Sequence, residues 1–76
     1  LKILEQSLAH PTQASGVRVS VFSLPEGHLV TEERTGTTTV VATLGLFDGR
    51  DAALARARGR VSELERQRYR IVTPAA

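Results

Sequence analysis

Val17-Arg18-Val19-Ser20-Val21-Phe22-Ser23-Leu24, then Pro25-Glu26-Gly27, then His28-Leu29-Val30-Thr31-Glu32-Glu33-Arg34: this stretch fixes the class of fold. Side chains on a strand alternate between faces. Val17, Val19 and Val21 therefore share one face, and Arg18, Ser20 and Phe22 share the other. Leu24 to Gly27 reads as a turn. Proline pre-sets its first central position, and glycine supplies the positive φ of a bulged three-residue hairpin loop. A second strand over His28 to Arg34 follows. Glu32 and Glu33 are adjacent on it and point to opposite faces.

Outward from this hairpin, Thr35-Gly36 reads as a tight connection and Thr37 to Leu46 as a third strand. Val40, Ala42, Leu44 and Leu46 form its expected apolar face. Thr37, Thr39, Val41 and Thr43 form the other. Two tight connections make these three strands an antiparallel meander. Asp48-Gly49-Arg50-Asp51 then reads as a helix start, with Asp48 as N-cap and Asp51 at the third helical position. The helix is expected to run to about Gln67, with Ala53, Leu54, Ala57, Val61 and Leu64 in one stripe. Gly59 lies on the opposite side. Tyr69 to Thr73 has a short strand pattern that Pro74 stops.

On the other side of the hairpin, Leu1, Ile3, Leu4 and Leu8 predict a short helix over residues 1–10, ended by Pro11. Residues 11–16 read as a polar linker, 17–73 as a single α+β domain and 74–76 as a loose tail. The expected order is α-β-β-β-α-β. The expected fold is a small two-layer α+β domain, with an antiparallel sheet of three to four strands packed against one long helix. A chain of 76 residues holds one domain and one modest core, with about 4,500 Å² of folded surface.

Composition excludes several chemistries. Without cysteine there are no disulfides, zinc–thiolate sites or iron–sulfur clusters. The longest stretch without charge, Thr35 to Phe47, is far below membrane-spanning length. The N-terminus lacks the basic-then-apolar pattern of a signal peptide, so a cytoplasmic location is expected. His10 and His28 are the only imidazoles and belong to no metal-ligand spacing. No nucleophile elbow and no phosphate-binding glycine motif occur. The residues therefore predict no catalytic site, no metal and no cofactor. An active site assembled between two copies is the one enzymatic arrangement left open.

Two non-enzymatic readings remain. The first is a protein-interaction or assembly module that self-associates or docks on a protein partner. Its candidate residues are Leu1, Ile3, Leu4 and Leu8 on the first element, Phe22, which opposes the valines of its strand, and Val41. A sheet edge ending in the threonine-rich strand is a second route to pairing with a copy of itself. The second reading is a nucleic-acid-binding module. Residues 1–48 hold three basic and five acidic side chains, and residues 49–76 hold seven basic and three acidic ones. Arg56 and Arg60 lie one turn apart on one flank of the helix. Arg58 and Arg66 lie further round, and Arg68 and Arg70 extend the basic stretch toward a phosphate backbone.

The α-β-β-β-α order resembles that of double-stranded-RNA-binding domains. Those domains place a lysine cluster at the start of their second helix, where this chain has only Arg50 beside Asp51. Over residues 17–72, three strands, a helix and a terminal aromatic strand resemble a WGR domain, a module associated with DNA-repair enzymes. The Trp-Gly-Arg run that defines that module is absent, since the chain has no tryptophan. Both resemblances rest on element order and carry over no functional residue.

Overall fold

The structure, a computed structural model, describes residues 1–72. Five strands and one helix follow one another as β1 (Lys2–Ala9), β2 (Gly16–Leu24), β3 (Gly27–Thr35), β4 (Val40–Phe47), α1 (Arg50–Arg66) and β5 (Arg70–Ile71). The strands form one antiparallel sheet in the order β4-β3-β2-β1-β5. The helix lies on one face of it, giving the expected two-layer α+β architecture. The sheet has five strands where three or four were expected. The expected end of the last strand at Thr73 and Pro74, and the tail, lie outside the described residues.

The added strand is β1, in place of the expected N-terminal helix. Leu4 and Leu8 are spaced as on a helix face, but four is also an even number. With Gln6 they share one face of a strand too. A helix of nine residues is marginal alone. As a strand the same segment pairs with β2 from Phe22 to Gly16 and satisfies that edge's main-chain groups. Leu8 then reaches the core, 1% exposed. With a strand in first place, the order that resembled double-stranded-RNA-binding domains no longer holds.

The core is the valine face of β2 (Val17, Val19, Val21) with Leu8, Val30 and Tyr69, closed by Ala53, Ala57, Val61 and Leu64 of α1. The two alanines let the helix approach the sheet closely. Leu54, Leu44, Phe47, Ile3 and Leu4 pack around this centre. The helix begins beside β4 and ends at β5, so it crosses the sheet and leaves the Val40 end of β4 uncovered. Its N-cap is Gly49, without a side-chain cap, and not Asp48. It ends at Arg66 in a Schellman motif. Tyr69 N–H donates to Leu64 O at 3.0 Å and Arg68 N–H to Glu65 O at 3.1 Å. Arg68 takes the left-handed position there, with φ 74°.

The β2–β3 loop has two residues, Pro25 and Glu26, because Leu24 pairs directly with Gly27. Gly27 has φ 147°, and a Cβ there would stand 2.8 Å from the carbonyl oxygen of Phe47. The β3–β4 connection is longer than expected, covering residues 36–39, and β4 starts at Val40.

Candidate assembly surface

Two register shifts decide which side chains reach the face of the sheet away from the helix. In β1 the shift at Ile3 brings Lys2 and Glu5, three residues apart, onto the same side. In β4, Val30 pairs with Gly45 but Thr31 pairs with Thr43, so Leu44 is the extra residue of a bulge. Past this bulge the alternation inverts. Leu46, expected beside Val40 and Ala42, joins Val41 and Thr43 on the open face instead. A single alternating pattern read through Gly45 cannot anticipate that switch.

The open face is organised in cross-strand rows. Lys2, Phe22, Leu29 and Leu46 form the first. Glu5, Ser20, Thr31 and Thr43 form the second. Ser7, Arg18, Glu33 and Val41 form the third. Their charges are linked side by side. Lys2 donates to Glu5, Arg18 Nε lies 3.2 Å from Glu5, and Arg18 Nη1 lies 3.6 Å from Glu33. The hydrogen bond from Lys2 holds the Glu5 carboxyl below its ordinary value, against a smaller opposing effect of desolvation. The Lys2 ammonium also stands 5.6 Å from the Phe22 ring centre.

Beyond these rows the sheet ends in β4, an edge strand of eight residues with no charged side chain and no proline. Val40, Val41 and Leu46 on it are 58%, 61% and 55% exposed. At the opposite edge, β5 covers β1 only over Leu8 and Ala9, with one further hydrogen bond from Val72 N–H to Ser7 O. The rest of β1's outer edge carries Lys2, Glu5 and the Ile3 bulge, features that obstruct strand addition. The bulge in β4 is its only such device.

The expected interaction residues separate in this geometry. Val41 lies on the uncharged edge, and Phe22 is half-buried on the open face. Leu8 is in the core and unavailable to a partner, while Ile3 and Leu4 pack against that core. Leu1 is exposed. Val40, Leu29 and Leu46 were missed, although the uncharged stretch from Thr35 to Phe47 already marked two of them.

The arginines also separate. Arg60 turns inward to Glu32, which is buried beneath the helix, and it also donates to Glu63 at 3.1 Å. Arg34 donates to Glu32 at 2.9 Å. Burial alone would push the Glu32 carboxyl up. The hydrogen bonds and charges of Arg60 and Arg34 outweigh it and hold the carboxyl below its ordinary value. Helical geometry puts Arg56 on Arg60's flank, Arg58 on the other and Arg66 on the outer side. Arg70 pairs with Ala9 and so shares the open face of the sheet, across from the helix. The expected basic track is thus distributed over several surfaces.

No constellation for acid–base or metal chemistry forms among the described residues. No group of three histidine or acidic residues is placed to hold a metal ion. His10 meets Tyr69 edge-on at 5.2 Å and accepts from Thr12 N–H at 3.2 Å. His28 Nδ1 is buried without a partner. An open cleft of about 310 Å³ between the β1–β2 loop and the open face is lined by small and neutral residues, including Ser7, Ala9, Gly16 and Thr35. Its one charged side chain, Arg18, is engaged by Glu5 and Glu33. No described helix is long and apolar enough to cross a membrane. No family model, curated protein or solved structure matches the chain.

Proposed function

We propose that this chain is a non-enzymatic assembly module that self-associates by main-chain pairing along β4. The observation that carries the reading is the contrast between its two sheet edges. Both carry a bulge, but one is also interrupted by charge and partly covered by β5. The other offers eight uncharged residues with three large apolar side chains exposed. Strand addition to such an edge draws affinity from main-chain hydrogen bonds and specificity from alternate side chains.

Sedimentation velocity on the wild type and on Val41→Lys tests the reading. Val41 is exposed, so the substitution leaves the fold intact and places a charge on the docking edge. The wild type is expected to run above monomer mass at about 100 μM and Val41→Lys as a monomer. A monomeric wild type, or a variant that associates equally well, overturns the proposal.

A further inference from the structure

Resting on that reading, we infer that the strand added to β4 is β4 of a second copy, antiparallel about a two-fold axis, in one register that the bulge selects. Every other strand carries charge: Lys2 and Glu5, Arg18, Glu32, Glu33 and Arg34, or Arg70. Of the described strands β4 alone carries no charge, and it is an open edge, so two copies can pair along it in any register without opposing charges on the pairing strands.

The register follows from the faces. Residues directly opposite in an antiparallel pair lie on the same side of the sheet. Before the bulge, Val40 and Ala42 face the helix side and Val41 the open side. After it, Gly45 and Phe47 face the helix side and Leu46 the open side. A two-fold axis between Thr43 and Leu44 sets Val40 opposite Phe47, Val41 opposite Leu46 and Ala42 opposite Gly45. All three pairs match in face. Registers centred on Val41 or Ala42 also match, but use only part of the strand. An unbulged strand in the same full-length register would oppose mismatched faces; the bulge matches the pairs on both sides of the axis and confines the mismatch to Thr43 and Leu44, which meet at the axis itself.

Charge complements this arrangement at both ends. Arg34 lies beside Val40 in register, and Asp48 follows Phe47. Antiparallel pairing carries the exposed Asp48 of one copy toward the end of the sheet where Arg34 of the other, already donating to Glu32, adds positive charge, twice by symmetry. The open-face pairs cover Val41 and Leu46, two of the most exposed large apolar side chains described. An interface of about 1,200 Å² would take some 600 Å² from each copy. That is about an eighth of the 4953 Å² surface. The product is a closed dimer with one ten-stranded sheet and both helices on the same side.

Cysteine pairing tests the register separately from the association. Directly opposed residues lie about 4.5–5.5 Å apart at Cα, within reach of a disulfide. Val41→Cys and Leu46→Cys proteins are oxidised alone and as a mixture, and the mass is followed with concentration. The expected result is a cross-linked pair only in the mixture, a mass that stops at two copies and a dissociation constant raised about fivefold by Asp48→Lys. Three results overturn the dimer geometry while leaving β4-mediated association standing: cross-linking of Val41→Cys alone, no cross-link while Val41→Lys still abolishes association, or a mass growing past two. A monomeric wild type, or association unaffected by Val41→Lys, overturns the underlying reading and this inference with it.

Discussion

Arg68 holds a backbone conformation that glycine adopts at lower cost, with φ 74° in the Schellman motif after α1. A side chain in the left-handed region costs roughly 1–2 kcal/mol. Arg68→Gly is therefore expected to stabilise the protein by about 1 kcal/mol, while Arg68→Ala, which keeps a Cβ, gains little. Gly59 presents the reverse case. A Cβ there meets nothing within 4 Å, so Gly59→Ala should add about 1 kcal/mol through helix propensity. Each change should raise the thermal midpoint by about 4–8 °C. An unchanged midpoint for Arg68→Gly would contradict the strain argument. Glu32 makes stability depend on pH. Because its native carboxyl is held low, its contribution is complete above the unfolded value near 4.5 and is lost as pH falls through the native value. Glu32→Gln should cost about 2 kcal/mol in urea unfolding at pH 7. At pH 3 the gap from wild type should narrow, and a gap of equal size at both pH values would exclude the ion-pair explanation. The sequence alone placed Glu32 and Glu33 on opposite faces. It did not show that Arg60, expected at a nucleic-acid surface, answers the buried one, because that pairing joins elements 28 residues apart.

At the scale of elements, the β2–β3 hairpin and the apolar stripe of α1 were legible because each has one consistent period over its length. The residues of β1 read as a helix in isolation because spacing by four satisfies both a helix and a strand, and the structure makes them a strand. What decides between them is the open edge of β2, a long-range fact absent from the local pattern. In β4 the strand itself was anticipated, but the bulge at Leu44 and Gly45 reversed the face of Leu46, a residue the candidate site uses. The strand assignment of β1 has a direct consequence. Leu8 is a core residue, so Leu8→Ala should cost about 3 kcal/mol, whereas Leu1→Ser, at an 89% exposed position, should change stability by less than about 0.5 kcal/mol. Similar losses at both positions, measured by urea unfolding, would place the two leucines on a common docked surface and contradict the strand.

Across the whole molecule, one helix covers one face of a five-stranded sheet, and the opposite face and the β4 edge stay open. No motif in the sequence announces this as a function. The relevant signal is the want of charge from Thr35 to Phe47, which acquires meaning once topology puts that stretch at an edge. Edge pairing depends on main-chain groups and apolar contact more than on charge. The association expected of the wild type should therefore survive 0.5 M sodium chloride with less than about a threefold change in dissociation constant, since salt screens only the flanking charges. Loss of association at that salt would assign the contact to charged surfaces instead.

The link between β1 and β5 also sets an order in time. Leu8 and Ile71, which it joins, are 63 residues apart in the chain, whereas the β2–β3 turn closes over two residues. Long loops close at greater entropic cost, and two paired residues offer little in return. The meander can therefore assemble before β5 arrives, and β5 can leave before the meander melts. In native-state hydrogen exchange the Val72 amide, bonded to Ser7 O, should open well below the free energy of global unfolding, while the Val19 and Val21 amides at the centre of the sheet open only with it. On that expectation the small strand opens as a latch while the meander beneath it stays closed.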